Sequence, residues 1–145
     1  MLKNISKLLT GNMLKILCDM GHGDELVIAD ANFPAENMGQ RVIHCPGMDG
    51  SQFLQALLPL FPLDSYTEKP VALMDLTDGD KAKGMPEPVI WAAYERLLIA
   101  AGENPDFDLM ERYAFYERAK KAYVVVQTGE ERQYGNLLLV KGVVK

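Results

Sequence analysis

Gly21-His22-Gly23-Asp24-Glu25-Leu26-Val27-Ile28-Ala29-Asp30-Ala31 is the stretch whose reading decides the fold. Its apolar run, caught between a glycine turn and an aspartate, is too short for a helix, so Glu25 to Ala29 reads as a buried strand. The same stretch carries chemistry. An imidazole stands between two glycines at one end and a carboxylate at the other. At roughly 3.3 Å per residue, their backbones are expected to stand about the length of a small sugar apart, with side chains free to converge on one.

Working outward, Met13, Leu14, Ile16, Leu17 and Met20 recur at helical spacing, with Asn12 as the expected N-cap and Gly21 as the stop. Downstream, Asn32, Pro34, Glu36 and Asn37 mark a loop, and Arg41 to Cys45 a second strand ended by Pro46-Gly47. Ser51 is the expected cap of a helix from Gln52 to Leu58, and Pro70 to Met74 reads as a third strand. Asp75 to Pro88 is polar, is broken by Gly79, Gly84, Pro86 and Pro88, and reads as a mobile insertion.

Val89 to Ala101 is a helix closed by Gly102, with Trp91 and Tyr94 facing core or a subunit contact. Phe107 to Arg112 fits either an extended segment or the lead-in to a helix at Phe115 to Ala122, where Glu117 and Lys121 stand as an i,i+4 pair. Tyr123 to Thr128 and Asn136 to Val140 are the last strands. Strands and helices alternate, which predicts one α/β domain over residues 1–145: a three-layer α/β/α arrangement on a mostly parallel mixed sheet, with an antiparallel strand near the C-terminal turn.

Composition narrows the partners. The chain has 145 residues, 48% of them hydrophobic, enough for a real core. A net charge of -5 with scattered Lys and Arg argues against a nucleic-acid surface. No run approaches about 18 apolar residues and the first residues build no signal-peptide core, so no membrane partner is expected and the cytoplasm is the expected compartment. Cys18 and Cys45 have no disulfide or metal-knuckle spacing.

Gly21-His22-Gly23 lacks the third glycine of a dinucleotide fingerprint, and the chain has neither HExxH nor paired-cysteine spacing, so neither metal nor cofactor is expected. Flanking glycines leave the imidazole open to a ligand, where it can donate or accept a proton at neutral pH; a helix-ending turn with the ring on a nearby carbonyl fits as well. Asp30 at a strand end fits ligand binding beyond the carboxyl edge of an α/β sheet, and equally an aspartate capping its own turn. Tyr134-Gly135-Asn136 reads as a polar grip or a plain turn. The aromatic and charged run from Arg112 to Arg118 reads as a helix start or as a wall of a polar pocket of the kind a sugar needs, C–H faces on rings and hydroxyls on paired donors and acceptors.

Several blocks together resemble the L-fucose mutarotase and D-ribose pyranase family. They are Gly21-His22-Gly23-Asp24-Glu25, Asp30-Ala31-Asn32-Phe33-Pro34, Leu60-Phe61-Pro62-Leu63-Asp64-Ser65-Tyr66, Ala114-Phe115-Tyr116-Glu117-Arg118-Ala119 and Tyr134-Gly135-Asn136-Leu137-Leu138-Leu139, in the family's order. The resemblance implies a sugar-anomer isomerase acting on L-fucose, with His22 as proton donor and Asp30, Arg112, Tyr134, Gly135 and Asn136 binding substrate. Arg112 stands where the fucose branch carries arginine and the ribose branch a histidine; Tyr113 departs from an expected phenylalanine. A ring-shaped homodecamer is also implied. Tyr116 or Tyr134 is the expected relay for the second proton. A ribose-type pyranose/furanose isomerase and a non-catalytic monosaccharide-binding ring protein are the competing readings.

Overall fold

A computed structural model describes residues 1–145. Six strands form one sheet: β1 (Glu25–Ala29), β2 (Val42–Cys45), β3 (Val71–Met74), β4 (Asp108–Met110), β5 (Val124–Thr128) and β6 (Leu137–Val140), in the order β2-β5-β1-β6-β3-β4. β1, β2 and β5 run parallel, as do β3 and β4, while β6 is antiparallel to both its neighbours, β1 and β3. The mixed, mostly parallel sheet flanked by helices agrees with the expected class, down to the antiparallel strand at the C-terminal end.

The apolar runs are buried on both faces. Leu26 and Ile28 of β1 join Val124 and Val126 of β5 in the larger core, under α1 (Gly11–Asp19), α3 (Gly50–Leu57) and α5 (Val89–Ala100). Val27, Ala29 and Val125 point the other way, to a smaller core with α2 (Ala35–Met38) and α6 (Arg112–Lys121). Successive residues of a strand face opposite sides, so continuous hydrophobicity is what a strand covered by helices on both sides requires. Each such Leu, Ile or Val removed from water contributes about 1.5–3 kcal/mol, which is why the central strands hold the sheet together. Trp91 and Tyr94 of α5 are buried in this larger core.

Where elements begin differs from the sequence expectation in ways hydrogen bonding explains. Thr10, not Asn12, caps α1, its hydroxyl accepting from the Met13 N–H at 3.2 Å. Asp49, not Ser51, caps α3 through a reciprocal box with Gln52 at 2.8 and 3.0 Å. The Asn32–Asn37 loop contains the short helix α2. α6 starts at Arg112, three positions before Phe115, because the Glu111 carboxylate accepts from the Tyr113 and Ala114 N–H groups at 2.9 and 3.0 Å. Its lysine partner for Glu117 is Lys120 at i+3, not Lys121. The polar Asp75–Pro88 stretch, expected to be a mobile insertion, holds α4 (Asp78–Ala82), capped by Thr77.

The topology itself positions the site. β5 and β6 are joined by residues 129–136 only, too short for a helical crossover, so the chain must return antiparallel. β1 lies between them, and the loop therefore passes over the end of β1. There the Ala31 N–H donates to the Glu130 carbonyl at 2.9 Å. No helix is long and apolar enough to cross a membrane.

Candidate functional site

The carboxyl ends of β1, β3 and β4 and the start of β6 surround a cavity of about 500 Å³. Each strand end sends side chains into it: Asp30 and Phe33 after β1, Met74 and Asp80 at β3 and beyond, Arg112 and Tyr116 from α6, Tyr134 and Asn136 before β6. Ligands of α/β sheets gather at this edge because strands deliver their following loops to one place.

Asp30 and Asn136 meet because of the crossing loop. The Asp30 N–H donates to Asn136 Oδ1 at 2.7 Å, and Asn136 Nδ2 donates back to Asp30 Oδ2 at 3.0 Å. The Asn32 N–H occupies Asp30 Oδ1 at 3.0 Å. Burial pushes the Asp30 carboxyl above the ordinary carboxylate range, against the pull of the Asn32, Asn136 and Phe33 bonds and with help from the Glu130 charge. Glu130 is itself buried, and although burial opposes its charge, the Arg132 guanidinium and N–H, with the Gly50 N–H, hold it below the ordinary range.

Tyr134 sits in the left-handed region, with φ at 60°, a costly conformation for a bulky residue. It is held there from three sides. Trp91 Nε1 donates to its carbonyl at 3.0 Å, the Thr77 N–H donates to its phenol oxygen at 3.2 Å, and its hydroxyl donates to Asp80 Oδ2. Gly135 lies behind the cavity wall: a Cβ there would come within 2.9 Å of Glu130 Cγ and 3.2 Å of the Arg132 carbonyl, so the turn closes over Asp30 only with glycine. Its carbonyl accepts from the Tyr94 hydroxyl at 2.7 Å. Across the cavity, Arg112 Nε donates to the Tyr116 oxygen at 3.1 Å, and Tyr116 packs edge-on to Phe33 at 5.6 Å.

The structure thus brings together Asp30, Arg112, Tyr116, Tyr134 and Asn136, with Gly135 shaping the wall. His22 lies elsewhere. It precedes β1, at the opposite edge of the sheet from Asp30, and does not line the cavity. The strand between them spans roughly 17 Å at about 3.4 Å per residue, too far for both side chains of one chain to converge on one small sugar.

The His22 side chain is 47% exposed and its Nε2 bonds Asp64 Oδ1 at 3.1 Å. Asp64 is buried and accepts also from the Tyr66 and Thr67 N–H groups and the Thr67 hydroxyl. The Thr67 hydroxyl leads the lowering of its pKa to about 2, with burial opposing and the Tyr66 N–H, the His22 ring and the Thr67 N–H adding to it. An ionised carboxylate only accepts, so Nε2 carries the donated proton and Nδ1 is the nitrogen left to a ligand. Gly23, at φ 84°, turns the chain after the imidazole while its N–H donates to the Lys141 carbonyl at 2.8 Å.

Sequence reasoning missed Asn32, Phe33, Met74, Thr77, Asp80 and Gln133 as cavity residues. One signal was present: Thr77-Asp78-Gly79-Asp80 has the hydroxyl and carboxylate three apart that open a helix, and a helix there presents Asp80 inward. No three His, Cys, Asp or Glu residues come together as metal ligands would.

The family model described as the RbsD / FucU transport protein family matches residues 3–144. Fucose mutarotase of Mus musculus is 50% identical over 97% of this chain and 94% of its own length. The crystal structure of the fucose mutarotase from Streptococcus pneumoniae in complex with L-fucose superposes with a TM-score of 0.92 at 40% identity, covering 99% of this chain and 100% of that one. Bacillus subtilis RbsD complexed with D-ribose superposes over 100% of both chains with a TM-score of 0.69 at 25% identity.

Proposed function

We infer the function from this premise: the chain belongs to the RbsD/FucU family. It is an isomerase that interconverts the α and β anomers of L-fucose, the activity named for its mouse and pneumococcal relatives. The observation that carries the reading is the cavity, where carboxylate, amide and guanidinium groups face apolar and aromatic walls, the chemistry a monosaccharide's hydroxyls and C–H faces ask for. Its greater likeness to the L-fucose complex than to the D-ribose complex favours the fucose branch.

Anomers interconvert by opening the hemiacetal. One group protonates the ring oxygen, another takes the proton of the anomeric hydroxyl, and the free aldehyde turns before the ring closes. General acid-base assistance of about 10²–10⁴-fold is enough, because the reaction already proceeds slowly in water. Asp30, Asn136 and Arg112 hold hydroxyls, while Tyr134 and Gly135 form the turn that closes over them. Met74 and Phe33 supply the apolar wall.

His22 is the acid at the ring oxygen, and it serves a neighbouring subunit. What supports this is its exposure, its distance from its own chain's cavity and the buried carboxylate that fixes the ring with one nitrogen free. A homodecameric ring would place each imidazole at the next cavity; light scattering should then give about ten times the 16.2 kDa chain mass. Two free cysteines, Cys18 and Cys45, fit a reducing cytoplasm.

Saturation-transfer NMR between the anomeric protons of L-fucose tests the activity. Wild-type protein should accelerate exchange and His22→Ala should not; absence of acceleration by the wild type would remove the enzyme reading. Preferential exchange of D-ribose forms would assign the chain to the other branch.

A further inference from the structure

His22 sits on a turn between α1 and β1, and the glycines on either side of it have no side chains with which to pack that turn. What holds it is the continuation of β6. The Gly23 N–H donates to the Lys141 carbonyl and the Lys141 N–H donates to the Asp24 carbonyl, both at 2.8 Å. On its other side the same segment carries Asp64. Leu63 pairs antiparallel with Lys141, the Gly142 N–H donates to the Pro62 carbonyl at 2.7 Å, and the Asp64 N–H donates to the Val140 carbonyl at 3.0 Å. The approach is so close that a Cβ at Gly142 would come within 2.4 Å of the Leu63 carbonyl oxygen and 2.9 Å of the Asp64 Cα. The backbone of Lys141 thus stands between the imidazole's turn and the turn of the carboxylate that aims it.

The Lys141 side chain completes the arrangement. It is half-buried and turns to the end of α1, where Nζ donates to the Leu17 carbonyl at 2.9 Å and to the Met20 carbonyl. The last carbonyls of a helix have no partner within it and carry a partial negative charge that a cation offsets. α1 has no basic residue in its own last turn, so a lysine 121 positions beyond Met20 supplies that cation. Met20 lies two residues before His22. The ammonium therefore pins the entry to the turn while the Lys141 backbone pins its exit.

We propose that Lys141 is a positioning residue for the acid: with its ammonium on the end of α1 and its backbone between Gly23 and Leu63, it sets the reach from His22 Nε2 to Asp64 Oδ1. This rests on the reading of His22 as the acid of anomer interconversion. That reach, 3.1 Å, decides the tautomer, because an ionised Asp64 only accepts and so keeps the proton on Nε2 and Nδ1 open to the sugar. Without the ammonium, the end of α1 and the turn after it are released, Nε2 loses Asp64, and the proton divides between the two ring nitrogens. Lys141 lines no part of the sugar cavity and acts through the turn alone.

Two measurements test this: anomeric exchange of L-fucose by saturation transfer over a range of sugar concentrations, and solid-state 15N NMR of protein labelled at its two histidines, with His22→Ala assigning the signals. The spectra are taken at about pH 8, where an ordinary imidazole is neutral. Lys141→Met keeps the stem and removes the ammonium; it should lower kcat by about 10–100-fold with KM within about three-fold, since displacing a reacting group by about 1 Å costs on that order. Its His22 signals should move from one protonated and one bare nitrogen toward averaged shifts. Lys141→Arg, which can still donate to both carbonyls, should restore most of kcat and the wild-type ring signals. Lys141→Gln keeps an uncharged donor, should show the same changes in smaller measure, and serves where the methionine variant does not fold. Wild-type kcat in Lys141→Met, or in Lys141→Gln where that is the variant that folds, would overturn the proposal. So would a lowered kcat with unchanged His22 signals, the result of a merely structural lysine. A His22→Ala protein as active as the wild type would instead overturn the reading of His22 as the acid.

Discussion

Two buried aspartates stand at opposite edges of the sheet and behave in opposite ways. Asp30, at the carboxyl end of β1, is 7% exposed and its carboxyl lies above the ordinary range; Asp64, beside the start of that strand, is 6% exposed and lies at about 2. Burial works against the charge of both. The difference comes from what faces them: Asp64 gathers a hydroxyl, two backbone N–H groups and an imidazole, whereas Asp30 has backbone and amide donors and the Glu130 charge nearby. One edge therefore carries a permanent anion that aims a histidine, and the other a carboxylate set among neutral donors in a ligand cavity. Proximity of burial alone says little about what a carboxylate does.

The sharpest way to break this contrast is to ask whether the two edges work together. His22→Ala should cost about 10²–10⁴-fold in anomeric exchange, and Asp30→Asn should lower exchange by weakening the hold on the substrate's hydroxyls. Co-assembled from unfolded mixtures, the two inactive proteins should regain part of the wild-type rate, because a mixed ring pairs an intact imidazole with an intact cavity. If the mixture stays as inactive as its components, the acid does not act across subunits.

A smaller effect separates the edges by packing. Gly135→Ala forces a Cβ against Glu130 and Arg132 and should lower stability by about 1–3 kcal/mol in denaturant titration. Gly23→Ala meets no atom within 4 Å and carries only the left-handed backbone penalty, about 1 kcal/mol. Equal losses would contradict the crowding over Asp30.

The third contrast is in pH. Asp64 has a folded value of about 2 against an ordinary 3.8, so its contribution is whole above about pH 4 and is lost as pH falls toward 2. Asp64→Asn should therefore flatten the fall in melting temperature over that interval. Asp30 works with the reverse sign: its raised value means the folded state is penalised while it is charged, and the penalty lifts as pH falls through that value. Asp30→Asn should leave the Asp64 interval intact, with a steepened or unchanged fall there. A flattened one would mean that the two carboxyls had been assigned the wrong way round.

Much was legible in the sequence because it is written at short range. Glu25 to Ala29 is a strand in the structure with the expected bounds, its four apolar residues Leu26 to Ala29 buried on both faces between a glycine turn and Asp30 that leave too few residues for a helix. Val89 onward is the expected helix. Asp30, Arg112, Tyr134 and Asn136, separated along the chain, line one cavity, with Gly135 in the turn between Tyr134 and Asn136. Misplaced starts, such as Phe115 for a helix that opens at Arg112, arose where a glutamate side chain satisfied the first N–H groups and extended the helix past its apolar pattern.

By itself, then, the amino-acid sequence determined the strands of the sheet's centre and the longer helices, and that the sheet is covered on both faces. Only the tertiary structure decided who meets whom. Asp30 and Asn136 are 106 positions apart and touch because β1 was inserted between β5 and β6, a choice of strand order that no local pattern encodes. The same strand, a rigid extended spacer, set His22 and Asp30 at opposite edges, and the cap at Thr77 turned an apparently loose polar stretch into the wall that holds Asp80. Local propensities act over a few residues, while a site is assembled by contacts between segments whose separation along the chain carries no information about their distance in space.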